Sequence, residues 1–212
     1  MTITRRIAGL AAIAASLYAS SPAFAHHMMG GKMPSTLTQG LLSGIGHPII
    51  GVDHFLFIVG VGLLGGILGR KLLIPLAFVF GTWLGAGLHL FSLNIAFAEV
   101  AIVASIVLMA VAVIGHVRAP SSLMATLVAA AGIFHGYAYA ESIFGAEPTP
   151  LYAYLAGFAI IQFLIAITVA TLFELVQKRS DTLATAGMRV AGGAMAGVAM
   201  TTISSMALPI PG

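Results

Sequence analysis

The feature that most constrains the fold of this chain is a series of six long apolar segments, near residues 40–69, 72–92, 96–116, 121–141, 151–176 and 184–207. Each is long enough to cross about 30 Å of hydrocarbon as a helix of roughly 20 residues. Strand-like alternation is absent, and an open sheet would leave backbone groups unpaired in lipid. The chain is 59% hydrophobic and 7% charged, whereas soluble domains carry about 25% charged residues. We therefore predict an all-α integral membrane protein with six transmembrane helices.

The absence of cysteine limits the chemistry of the chain. Disulfides, thiolate metal sites and cysteine nucleophiles are excluded, so any transition metal must be held by imidazole, carboxylate, thioether or backbone groups. The formal net charge of +3 is small and scattered, which argues against nucleic acid as a partner.

The first 25 residues have the pattern of a cleavable secretory signal peptide. Arg5 and Arg6 precede a short apolar stretch, and Ala23-Phe24-Ala25 fits a small-residue cleavage site. An uncleaved anchor is the alternative. Cleavage would leave residues 26–39 as a periplasmic segment containing His and Met, followed by a membrane domain at 40–207 and a short tail at 208–212.

Basic residues predict the orientation of the spans. The loops that follow the first, third and fifth segments, with their flanks, contain Arg70, Lys71, Arg118, Lys178, Arg179 and Arg189. The loops after the second and fourth segments contain no Lys or Arg. The positive-inside rule therefore places both mature termini in the periplasm of a bacterial inner membrane, in agreement with the signal peptide.

The first apolar segment contains three ionisable residues within eight positions, His47, Asp53 and His54. An Asp at the centre of a span costs about 2.5 to 3.5 kcal/mol on the insertion scale, so function explains the cluster better than packing does. On a straight helix the two histidines would be roughly 10.5 Å apart along the axis, too far to share one ion. Pro48 and Gly51 lie between them and predict a kink. Transporters often place ion sites at such broken helices.

The predicted topology puts the other polar residues of the spans at or outside the membrane centre. They are His89, Glu99, Ser105, His135 and Glu141, whereas His116 lies at the cytoplasmic end. Together with the first-segment cluster, they predict a funnel open to the periplasm. Tyr139 and Tyr154 fit packing or interfacial belts.

Imidazole and carboxylate without thiolate suit Ni²⁺, Co²⁺, Zn²⁺ or Cu²⁺, whereas Mg²⁺ or Ca²⁺ prefer oxygen ligands alone. We predict metal ligands at His47, Asp53, His54, Glu99, His135 and Glu141. A further set is predicted to capture metal at the entrance: His26, His27 and His89. Met28, Met29 and Met33 either add soft ligands for Cu⁺ or belong to an unstructured tail.

Four motifs in order resemble the HupE/UreJ family: a signal peptide ending at a histidine, "HPIIGVDH" at 47–54, "AEVAIVAS" at 98–105 and "HGYAYAES" at 135–142. The resemblance implies a six-span bacterial permease associated with nickel or cobalt supply to hydrogenase and urease. The family pattern matches His47, Pro48, Gly51, Asp53 and His54 in the first span, Glu99 and Ser105 in the third, and His135, Gly136 and Glu141 in the fourth. The chain departs from the family at Tyr139 and Gln162, where relatives often carry histidines.

The sequence thus favours a secondary importer of Ni²⁺ or Co²⁺ that is not an enzyme and has no prosthetic group. Its expected partners are the metal ion and the lipid bilayer, with a homo-oligomer or metalloenzyme-maturation partners left open. Two alternatives remain: an intramembrane zinc-dependent hydrolase, and a structural or assembly subunit of a membrane metalloprotein complex. A shared pathway also predicts that His54 and His135 lie within one water-bridged contact, with Gly136 allowing the fourth span to approach the first.

Overall fold

The computed structural model describes residues 32–207, and within this range the chain is entirely helical, without strands. The helices are α1 (Leu37–Ile50), α2 (Val52–Ile67), α3 (Leu73–Leu90), α4 (Ala98–Ile114), α5 (Ser121–Glu141), α6 (Pro148–Arg179) and α7 (Asp181–Ala207). The predicted signal peptide at 1–25, the histidines at positions 26 and 27, and the tail at 208–212 lie outside the described residues.

Several of these helices are long and apolar enough to cross a membrane, as a multi-pass protein requires. Four of them, α3, α5, α6 and α7, reach this length singly, and α1 with α2 forms a fifth candidate if the bent pair is one span. The predicted span at 96–116 corresponds to α4, a shorter apolar helix of 17 residues. The count of six spans therefore stays a prediction.

The first apolar segment is two helices rather than the single helix predicted at 40–69. Its halves are bent by 80° where they meet at Gly51. Pro48, inside α1, has no amide hydrogen and cannot continue the helical hydrogen bonds. The backbone of Gly51 is extended, with φ −70° and ψ 103°, and its N–H donates to the carbonyl of His47 at 3.1 Å. The predicted kink is confirmed, and it amounts to a full break.

Helices α3 and α5 pack at close range through small residues. A side chain at Gly81 would collide with the carbonyl of Ala129, and one at Gly136 would collide with the backbone of Thr82. Gly136 thus faces α3. The prediction that Gly136 lets the fourth span approach the first was wrong. Gly136 lies where α5, the predicted fourth span, packs against α3, the predicted second span.

The basic loops lie at one end of the bundle, here called the basic end, and form polar contacts with neighbouring helices there. Arg70 Nε donates to Ser121 Oγ at 3.3 Å, and Lys71 Nζ lies 3.4 Å from Glu174 Oε2. These contacts join the loop after α2 to the start of α5 and the end of α6. The opposite end, called the acidic end, carries Glu99 at the start of α4 and Glu141 at the end of α5.

Candidate metal site

A cavity of about 610 Å³ lies beside the break in the first segment, towards the acidic end. It brings together five of the six predicted metal ligands: His47, Asp53, His54, Glu99 and Glu141. The remaining wall is formed by Ile102, Val103, Ile106, Ala138, Ser142, Thr202, Ser205 and Met206. Residues from α1, α2, α4, α5 and α7 therefore face one space.

The break positions the two histidines of the first segment. His47 lies in the last turn of α1, His54 lies in the first turn of α2, and their ring centroids are 5.7 Å apart. Both rings are buried. The bend thus brings within one site two imidazoles that a straight helix would hold roughly 10.5 Å apart along its axis.

Asp53 completes the first-segment cluster. Its Oδ2 lies 3.7 Å from Nδ1 of His54, and its side chain is partly exposed to the cavity. Asp53 also lies in the first turn of α2, where the partial positive charge of the helix terminus stabilises a carboxylate. The carboxyl group of Asp53 is therefore held at the break, beside the imidazole of His54.

His135 lies behind this cavity and does not line it. Its ring is fully buried, stacks on Phe57 at a centroid distance of 4.2 Å, and has Nε2 3.0 Å from Ser105 Oγ. Its ring centroid is 5.7 Å from that of His54, so the predicted proximity of the two histidines is confirmed. Nδ1 of His135 is buried and has no hydrogen-bond partner among residues 32–207.

The two glutamates and His89 occupy different surroundings. Glu99 and Glu141 are exposed at the mouth of the cavity. His89 does not line the cavity; its ring packs edge-on against Tyr137 and Phe144, with centroids 4.5 and 5.4 Å away. The glutamates thus lie at the opening of the cavity, whereas His89 lies in an aromatic setting apart from the cluster.

Three residues of the site were not assigned to it from the sequence: Tyr139, Ser142 and Tyr154. The ring of Tyr139 packs edge-on against His54 at 4.5 Å and against His47 at 5.2 Å. The hydroxyls of Tyr154 and Ser142 lie 3.0 and 3.2 Å from Nδ1 of His47. A signal was present, because residues 135, 139 and 142 have the spacing of one helix face.

Within residues 32–207, no set of three His, Cys, Asp or Glu side chains is positioned to hold one metal ion together. The predicted ligands instead follow one another from the mouth, through the paired histidines, to the buried ring of His135. Stepwise ligands of this kind suit an ion that must bind and then leave.

Two comparisons with known proteins found sequences similar to this chain. The family model described as "HupE / UreJ protein" matches residues 13–202. Protein HupE of Rhizobium leguminosarum bv. viciae is 30% identical over 182 residues, covering 82% of this chain and 87% of that protein. No solved structure matches the chain.

Proposed function

Since this chain belongs to the HupE/UreJ family, which is associated with nickel and cobalt transport, we propose that it is a secondary importer of Ni²⁺ or Co²⁺. The observation that carries the proposal is the cavity at the broken first segment. There, His47, Asp53 and His54 face one space together with two glutamates from other helices. Imidazole and carboxylate are ligands that these ions accept.

The break suits a binding site for an ion in transit. Helix ends within a membrane leave backbone groups without intrahelical partners, and transporters use such ends to bind ions near the bilayer centre. Here the end of α1 and the start of α2 meet beside His47 and Asp53. The site therefore combines side-chain ligands with polar backbone at one depth.

The proposed direction of transport is inward, from the acidic end to the basic end. With the basic loops in the cytoplasm, as the positive-inside rule requires, the cavity opens to the periplasm of the inner membrane. The ion would pass Glu99 and Glu141, bind between His47 and His54, and move on towards His135. In this topology α4 is a short transmembrane helix, the third in chain order, which brings the number of spans to six. The mature N-terminus is periplasmic.

The energy source is a gradient in this proposal, since the sequence carries no nucleotide-binding motif. The zinc hydrolase is not favoured, because the family is of the transporter type. A structural or assembly role is not favoured either, because such a role does not require a polar cavity.

The test is metal uptake into proteoliposomes that contain the purified full chain. Radioactive nickel should accumulate with the wild-type protein and not with Asp53→Asn, which keeps the shape of the side chain and removes its charge. Asp181→Asn is the matched control, because Asp181 lies at the start of α7, outside the cavity. Absence of both Ni²⁺ and Co²⁺ uptake with the wild type would overturn the proposal, as would full uptake with Asp53→Asn.

A further inference from the structure

We propose that Tyr154 and Ser142 are positioning residues that hold His47 in the tautomer protonated at Nδ1, so that Nε2 is the nitrogen that binds the transported ion. The inference rests on the proposed function for the identity of the ion. It rests on the hydrogen-bond geometry around His47 for the tautomer.

Two hydroxyls and one carbonyl form a hydrogen-bonded cluster at Nδ1 of His47. The hydroxyl of Tyr154 lies 3.0 Å from Nδ1 of His47 and 3.0 Å from Oγ of Ser142. Both hydroxyls also lie within hydrogen-bond distance of the carbonyl of Tyr139, at 2.9 Å from Tyr154 and 3.0 Å from Ser142. Tyr154 is fully buried, so water does not replace these bonds at its side chain.

The carbonyl of Tyr139 needs donors from outside its helix. It lies in the last turn of α5, where carbonyl groups lose their helical partners. The N–H of Ile143 would reach it if the helix continued, but it donates to Ala140 instead, at 3.2 Å. A buried carbonyl left without a donor costs free energy, and the two hydroxyls are the donors at hand.

The number of available protons then determines the tautomer of the neutral His47 ring. Each hydroxyl has one proton to donate, whereas the carbonyl has two lone pairs and donates nothing. If both hydroxyls donate to Tyr139, each presents only lone pairs to His47. Nδ1 must then carry the proton and donate it, and the unprotonated nitrogen of the neutral ring is Nε2.

This tautomer is the one that metal binding through Nε2 requires. Histidines that bind metals usually donate their other N–H to a carboxylate, carbonyl or water, which fixes both the tautomer and the ring orientation. Loss of such a partner typically weakens metal binding by roughly 10- to 100-fold. Tyr154 on α6 and Ser142 after α5 would thus orient a ligand on α1 without touching the ion.

The experiment compares the tautomer and metal affinity of the purified full chain in detergent. Nitrogen NMR of protein with labelled histidine reports which ring nitrogen is protonated, and His47→Gln assigns the signal. Calorimetry with Ni²⁺ gives the dissociation constant. The variants are Tyr154→Phe, Ser142→Ala and the double substitution. Tyr152→Phe is the matched control, because Tyr152 lies on the same helix and is 70% exposed.

We expect His47 in the wild type to be protonated at Nδ1 without metal. The double variant should show a mixture of tautomers and a dissociation constant raised by roughly 10- to 100-fold, with Tyr152→Phe unchanged. Ser142→Thr retains a hydroxyl and should keep the wild-type tautomer. If Tyr154→Phe and the double variant fail to fold, the tautomer of His47 in the wild type decides the question, because it is read without any substitution at Tyr154.

Two results would overturn the inference: an Nε2-protonated His47 in the wild type, or weakened binding in the variants without a change of tautomer. The tautomer is read without metal, so it is independent of transport. A wild type with the expected tautomer that binds neither Ni²⁺ nor Co²⁺ would refute the proposed function and the role assigned to Nε2.

Discussion

The rings of His47 and His54 lie 5.7 Å apart although they belong to different helices, because the chain bends by 80° between them. Seven positions along a continuous helix would separate them by roughly 10.5 Å of axial rise. The break at Gly51 is therefore what makes one site out of two distant residues, and it offers the most direct way to disturb that site.

Gly51→Ala should weaken metal binding while leaving the fold intact. The backbone at Gly51 suits any residue, but an added Cβ would lie 2.8 Å from Cδ2 of His54 and 3.4 Å from Oδ1 of Asp53. The ring of His54 must shift, so we expect the dissociation constant for Ni²⁺ to rise at least about tenfold. Gly87→Ala is the control, because nothing lies within 4 Å of its added Cβ. Equal affinities in calorimetry would contradict the prediction.

His135→Gln should separate binding from translocation. His135 lies six residues before the mouth residue Glu141, roughly 9 Å deeper along α5, and it does not line the cavity. We expect equilibrium Ni²⁺ binding to change less than threefold, while uptake falls at least about tenfold. His116→Gln, at the basic end of α4, is the control. Equal losses of binding and uptake would instead place His135 among the residues that bind the ion in the cavity.

Glu141→Gln should raise the KM for uptake more than it lowers the maximal rate. Glu141 is exposed at the mouth, where a carboxylate concentrates cations near the entrance. The effect, several-fold at low ionic strength, should shrink with added salt because exposed charges are screened. Glu147→Gln changes a nearby exposed acid that does not line the cavity. If it has the same effect, the mouth position has no special role.

Gly136→Ala should destabilise the protein. The new methyl group would collide with the backbone of Thr82, which cannot move aside as a side chain does. Overpacking of this kind costs about 1–3 kcal/mol, so thermal unfolding in detergent should shift down by several degrees. Gly193→Ala, whose added Cβ meets nothing within 4 Å, should instead keep or raise the unfolding temperature. An unchanged midpoint for Gly136→Ala would show that α3 and α5 separate without cost.

Local patterns in the sequence predicted the helices, the break and the five ionisable residues of the cavity. Apolar length marks helices in lipid, and Pro48 with Gly51 marks a break, because both signals act within a few residues. The angle of the break was not predictable, since it depends on how α1 and α2 each pack against α6. The length of α4 also differed from the predicted span, because Phe97, with φ 61°, precedes a helix that starts only at Ala98.

The partners of His47 show a second limit of sequence reasoning. Tyr154 lies more than a hundred residues away in the chain, and nothing local distinguishes a tyrosine that packs from one that bonds a histidine. Gly136 shows the same limit. Its small size predicts close packing, but only the fold reveals that the partner is Thr82.

The length of α6 has a mechanical consequence. This single helix of 32 residues runs past both halves of the first segment, with Tyr154 against Gly44 before the break and Phe173 against Gly66 after it. The continuous helix α6 thus packs against both α1 and α2 and holds the bend at Gly51 in place. Straightening the bend would separate α1 or α2 from α6, so these three helices should move as one rigid unit. For the proposed importer, an inward-facing state would then require the other helices to slide around α1, α2 and α6 while the bend at Gly51 is kept.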